Sequence, residues 1–174
     1  MTGADLLAAL KQPWRHGEHV EARGLVLEDT LTLDGLEVCG FDLTGARLKG
    51  GLSAKGTVFR GLSWLRGVEV CGLCDLSGAM FRTDFRADGL IAKDVVLDDA
   101  HVQGVVSLAN AKIASLSMKR ALMMANVTLE GAQISDSVML DNAEIMGGFW
   151  TAGARINALQ TSKAEISGRL RLPT

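Results

Sequence analysis

The sequence has no tyrosine, and aromatic residues make up only 5% of its 174 residues although 48% are apolar. A globular core of that size ordinarily leans on rings, so the shortage points to a thin core of Leu, Ile, Val, Met and Ala. Proline is nearly missing as well, two residues against twenty glycines, which fits many tight corners and few linkers. Neither sign of charge dominates: 18 basic and 20 acidic residues leave a net charge of −2. That balance argues against the broad basic surface that direct nucleic-acid binding requires. No apolar run reaches about 18 residues, so no membrane span is expected. The N-terminus also lacks the basic-then-apolar order of a secretion signal. Three cysteines cannot pair completely, and a reduced, cytoplasmic setting is the simplest expectation.

What is present is a beat. From Val95 onward, apolar residues recur in steps of five or six: Leu97, Val102, Leu108, Ile113, Met118, Met123, Leu129, Ile134, Leu140, Ile145, Thr151, Ile156, Thr161, Ile166 and Leu172. Two positions before each stands a second residue, usually small or apolar, as at Ala100, Val106, Ala111, Leu116 and Ala121. Neither a helix nor an ordinary strand keeps that period; a coiling β-solenoid does. The same beat runs back through Leu27, Leu33, Val38, Leu43, Leu48, Ala54, Phe59, Trp64, Val70, Leu76, Phe81, a weak unit near Arg86, and Ile91. Four units to a turn give about 21 to 22 residues per coil and about seven coils, a rod of roughly 34 Å at strand spacing. Each unit turns its paired residues inward, and only the stack buries them.

Residues 1–24 stand apart. Ala4 to Lys11 are good helix formers with Leu6, Leu7 and Leu10 on one side, and Pro13 stops the run. A short helical cap and loop over the first apolar coil is the expected role, followed by a repeat domain over 25–174.

Four units carry a resemblance. Phe41-Asp42-Leu43-Thr44-Gly45 and Ala46-Arg47-Leu48-Lys49-Gly50, with Cys74-Asp75-Leu76-Ser77-Gly78 and Ala79-Met80-Phe81-Arg82-Thr83, resemble the A(D/N)LxG unit of the pentapeptide-repeat family. The resemblance implies an all-β fold, a right-handed four-sided parallel β-helix. The frequent six-residue steps depart from the family pattern and keep a left-handed, hexapeptide-type β-helix as the alternative. They are expected to bulge at corners. Around Asp84 to Leu90 the beat puts Asp84, Arg86 and Gly89 inward. A buried charge is costly there, so a register slip is expected, with Phe85 turning in and a short loop or bulge leaving the rod.

The chemistry is sparse. Cys71-Gly72-Leu73-Cys74 is a lone C-x-x-C whose beat places Cys74 inward and Cys71 outward, a poor redox or zinc pair. His16 and His19 belong to the cap loop, and His101 lies far along the rod. No nucleophile elbow or phosphate loop appears. Neither catalysis nor a cofactor or metal is expected. The surface offers more. Leu122 and Met124 flank inward Met123, and Met146 follows inward Ile145 four units on, so Met124 and Met146 should stack in neighbouring coils, with Met139 and Trp150 on the adjoining sides. That apolar patch reads as the face for an unidentified protein partner. At the C-terminus, Leu170 and Leu172 offer an apolar coil end, and the resemblance implies end-to-end homodimers. It also implies DNA mimicry, as an inhibitor or protector of a gyrase-like topoisomerase. Glu130, Asp136, Asp141 and Glu144, however, fall on four successive sides as a ring, not the stripe a mimic would want. The sequence thus reads as a rigid non-catalytic scaffold for protein–protein interaction, with mimicry as the alternative.

Overall fold

The computed structural model describes residues 1–171; Leu172, the outer half of the expected dimer end, lies outside the described residues. The chain is a stack of parallel strands wound into a solenoid of about seven turns behind one short helix. Each coil has four sides. Face I is an eight-stranded sheet running from His19–Glu21 and Gly40–Asp42 to Phe149–Trp150 and Leu170–Arg171. Its first strand, His19–Glu21, already pairs with Gly40–Asp42, so the stack begins within the stretch read as cap and loop. Face IV is a seven-stranded sheet from Glu37–Val38 to Glu165–Ile166. Faces II and III start as separate two-residue strands, such as Glu69–Val70 and Cys74–Asp75. They are then joined by continuous strands, Ile91–Val96, Lys112–Ser117, Gln133–Met139 and Arg155–Gln160.

Every unit puts two residues inside with one outward residue between them, as the alternation of a strand demands. On face IV the inner column runs Val38, Phe59, Phe81, Val102, Met123, Ile145, Ile166. All but Ile166 are buried, and a fully buried side chain of this size contributes about 1.5–3 kcal/mol. Four rings climb the core of the early coils. Phe59 stacks on Phe81 at 4.4 Å between centroids, and Phe41 and Phe85 tilt against them at 5.9 and 4.9 Å. Ser63 stands between Phe41 and Phe85 in their own column, which leaves room for the rings of face IV.

The corners explain the mixed five- and six-residue steps. Two corners never vary. Between faces I and II, and between III and IV, two residues make the turn, closed by a bond such as Ala46 N–H to Leu43 O at 2.9 Å. The second of the two has positive φ, as a type II turn needs: Gly35, Gly56 and Gly78 at the III–IV corner of the early coils, then Asp99, Arg120, Asn142 and Lys163. The other two corners hold two or three residues. Every extra residue falls there, so coil neighbours lie 21 residues apart (Glu28 and Lys49) or 22 (Arg47 and Glu69). At the II–III corner the early coils use Lys49-Gly50-Gly51 and Cys71-Gly72-Leu73, which fit backbone to backbone: a Cβ on Gly72 would lie 2.4 Å from Gly50 O. Where two residues suffice, as at Lys93-Asp94, the corner straightens into strand. Gln133–Met139 keeps three and bulges.

The stretch near Asp84 is regular after all. Phe85–Arg86 pairs evenly with Ser63–Trp64 and Val106–Ser107, and no loop leaves the rod. Phe85 does turn inward, but the deep residues here are Leu65, Ala87 and Ala92, not Trp64, Arg86 and Ile91, each one position off. Asp84 faces out and accepts from Val105 N–H at 2.8 Å, with Arg86 Nη2 2.7 Å from its other oxygen.

The helix Gly3–Leu10 closes one end. Thr2 and Asp5 form a capping box, which satisfies the first orphan N–H groups. Leu6 and Leu10 are fully buried against the first coil, and Leu10 O accepts from Cys39 N–H at 2.9 Å. Trp14 then folds over the IV–I corner, its indole in the space a Cβ on Gly61 would need. At the other end, Ile156, Leu159, Ala164 and Ile166 are only partly buried, and Leu170 is 49% exposed.

Candidate functional site

The outward side of face IV carries two columns that the coil register aligns. The first runs Glu37, Val58, Met80, His101, Leu122, Glu144, Glu165. The second, one residue past each inner position, includes Arg60, Arg82, Gln103, Met124, Met146 and Ser167, each donating its N–H to the coil before. Arg60 Nε sits 2.7 Å from Glu37 Oε1, and that bond holds Glu37 below the usual carboxylate range. Past this pair an apolar patch stands among Arg82, Gln103 and Glu144. Met124 is 45% and Met146 50% exposed, among the most exposed large apolar side chains of the rod, and Leu122 beside them is half-buried.

Met124 and Met146 therefore stand in neighbouring coils of one face, with Leu122 next to them. Met139 is half-buried on face III and Trp150 half-buried on face I, the two adjoining sides. Trp150 bends back over the IV–I corner: its Nε1 would lie 2.7 Å from a Cβ on Gly148, which brings the indole toward the Met146 edge. Met139 stays around the far corner. Leu170 lies at the last described coil, where it pairs with Phe149 next to Trp150.

One partner of the patch escaped the sequence reading. His101 Nε2 lies 3.1 Å from Met124 Sδ. The signal was available, because His101 and Leu122 are one coil apart and Met124 is two residues beyond Leu122. It needed only the four-unit count from Val102 to Met123.

Face I presents a different surface, a shallow cavity of about 500 Å³ lined by Leu62, Trp64, Arg66, Thr83, Asp84 and Arg86. The Arg66 guanidinium lies 4.4 Å from the Trp64 ring centroid, a cation–π contact. Its buried Nε makes no hydrogen bond, 3.7 Å from Asp88 Oδ2. The charges here are occupied by one another.

The acidic residues are mostly engaged within the rod. Asp34 accepts from the Ser53 hydroxyl and Lys55 N–H, Asp98 from the Ser117 hydroxyl and Lys119 N–H, and Asp88 from the Ser107 hydroxyl. Asp42 is buried under Arg23, with Nε to Oδ2 at 2.7 Å. Burial pushes its carboxyl up, but the Thr44 bonds and Arg23 outweigh that and hold it below its ordinary value. Asp75 follows the same logic with Ser77 and Lys55.

Cys74 is fully buried and Cys71 exposed. Burial, and then the Asp75 charge, push the Cys74 thiol up to about 12, so it stays protonated and inert. The C-x-x-C pair therefore shares no surface. Among the described residues, no group of three or more His, Cys, Asp or Glu could hold a metal ion. No helix among them is long and apolar enough to cross a membrane. No family model matches the chain, and no curated protein matches it as a relative.

Proposed function

We propose that this chain is a rigid, non-catalytic rod that binds a protein partner through face IV, a divergent pentapeptide-repeat protein working in the cytoplasm. One observation carries the reading: Met124 and Met146 expose about half their surface side by side in consecutive coils. Leu122 and the bent-back Trp150 widen the patch. Thioether side chains adapt to a partner's shape at little cost, and contiguous exposed apolar surface is what an interaction site requires. Parallel strands locked coil to coil supply the rigid backing. The three free cysteines, one of them exposed, support a reducing compartment.

The test is capture of partners by the wild-type chain and by a Met124→Asp/Met146→Asp double variant with matched circular dichroism. A protein retained by wild type and lost by the variant supports the reading. One retained equally by both removes face IV from it. Mimicry of DNA is the second reading, and the internal engagement of Asp34, Asp42, Asp88 and Asp98 counts against it. Its mark would be a topoisomerase bound equally by both chains and released steeply as salt rises. End-to-end pairing of two copies is proposed through Leu170 and its half-buried neighbours Leu159 and Ile166. Sedimentation of wild type against Leu170→Asp tests it: a dimer lost in the variant supports pairing, a monomer throughout removes it.

A further inference from the structure

Beyond a partner surface, we propose that His101, Met124 and Met146 form a solvent-accessible site for a soft monovalent cation, Cu(I). The starting point is the 3.1 Å approach of His101 Nε2 to Met124 Sδ. A thioether is a poor hydrogen-bond acceptor, so the contact gives little to an imidazole N–H. With the proton on Nδ1, two lone pairs face one another, the arrangement that a cation between them would relieve. Bonds of roughly 2.0 Å to imidazole nitrogen and 2.3 Å to sulfur, the lengths found around zinc, need the two atoms only slightly farther apart. Exposed side chains on this face can supply that movement.

The third donor comes from the register. Met124 N–H donates to Val102 O at 2.9 Å and Met146 N–H to Met123 O at 2.8 Å, so the two methionines occupy successive rungs about 4.8 Å apart. Both are unbranched with three rotatable bonds, and their sulfurs can converge. Met80 pairs in register with His101 on the opposite flank and offers a further thioether. Glu144, the register partner of Leu122, places a negative charge on the same face. Neutral imidazole and thioether donors select Cu(I) over the harder divalent ions, which prefer carboxylate and carbonyl oxygen. Binding at this site involves no change of oxidation state.

The inference does not rest on the partner reading, and one set of variants separates them. Leucine keeps the apolar volume of methionine and removes its sulfur. Met124→Leu/Met146→Leu therefore loses the metal but keeps an apolar partner, whereas the aspartate double variant loses the partner.

The experiment is titration of the full chain with Ag(I), a redox-inert stand-in for Cu(I), read by NMR of methyl-labelled methionine. It is done in a Cys71→Ser background, because the exposed thiol on face II would compete. At one equivalent the Met124 and Met146 methyls should shift while buried Met118 and Met123 and the distant, exposed Met1 stay in place. His101→Gln should weaken binding at least about tenfold, the scale on which even outer-shell losses act, and the leucine double variant should abolish it. Unmoved Met124 and Met146 methyls, shifts shared equally by Met1, or wild-type affinity in both variants would overturn the site. Matched thermal midpoints keep a folding defect from imitating a lost ligand.

Discussion

The early and late coils share one cross-section and fill it differently. From Phe41 to Phe85 the core is a chain of rings in contact sealed by Leu6 and Leu10. Beyond Val102 it is almost wholly aliphatic and opens onto half-exposed Ile156, Leu159 and Ile166. The early II–III corners are glycine turns in backbone contact; most of the later ones are strand. The early III–IV corners put glycine at positive φ, the later ones Asp99, Arg120, Asn142 and Lys163. The same coil can thus be built with tight, specific joints or with looser, more polar ones. The exposed methionines, and His101 beside them, lie beyond the ring-filled segment.

The largest effect should come from the inner column of face IV. Phe81→Ala removes a ring stacked on Phe59 and touching Phe85, at about 3–5 kcal/mol for a large aromatic cavity. Ile166→Ala, four strands along the same sheet, should cost roughly 1 kcal/mol because the residue is only partly buried. Urea melts of the two variants decide it. Equal losses would mean that the late coils are as well sealed as the early ones.

That column also shows how much of the fold could be read. The period, the four-sided coil and the inward pairs were legible because nearly every unit keeps a large residue at its deep position. The reading slipped by one where sizes invert. Phe85 precedes Ala87 and Leu90 precedes Ala92, so the bulk sits at the outer member of the inward pair and the cross-section stays filled. Trp64 outweighs its neighbour Leu65 by hydrophobic size, yet stands outside under Arg66. The corner that would host each extra residue was not legible, because it depends on backbone contacts between coils. Met124 and Met146 followed directly from the beat, and the same four-unit count puts His101 one coil before Leu122, but the approach of the His101 ring to Met124 is a side-chain contact that a register does not give.

The II–III corner gives the next contrast. Gly72→Ala places a Cβ into Gly50 O, where no side chain can yield, and should cost about 1–3 kcal/mol by overpacking. Ser115→Ala, in a straightened corner, should stay within about 0.5 kcal/mol. Thermal midpoints that move together would show that the glycine corners are not tight.

Acid should also act unevenly. The Asp42 carboxyl is held below its ordinary value despite burial, by Thr44 and Arg23. A lowered folded pKa contributes stability above the unfolded value near 3.9 and loses it as pH falls through the folded one. Stability should therefore fall below about pH 4, and Asp42→Asn should make that fall shallower. Coil-resolved hydrogen exchange should place the first opening at the strands around Asp42 and Asp75. Opening first among the late coils would reverse the assignment.

The smallest effect is the most specific to the comparison. Lys163 holds φ +56° at the position that Gly35, Gly56 and Gly78 occupy in the first coils. Left-handed backbone costs an ordinary residue about 1–2 kcal/mol, while glycine's extra freedom when unfolded returns part of any gain. Lys163→Gly should therefore stabilise the last described coil by about 0.5–1 kcal/mol, and Gly56→Lys should destabilise by a comparable amount. Asp99→Gly provides the control. It relieves the same strain but forfeits the two 2.8 Å contacts to Arg120, so little net gain is expected. If Lys163→Gly and Asp99→Gly gain alike and Gly56→Lys loses by as much, the corner backbone alone sets their cost. If Asp99→Gly loses stability while Lys163→Gly gains it, the late coils have replaced glycine with side chains that cross-link neighbouring turns, a different route to the same corner.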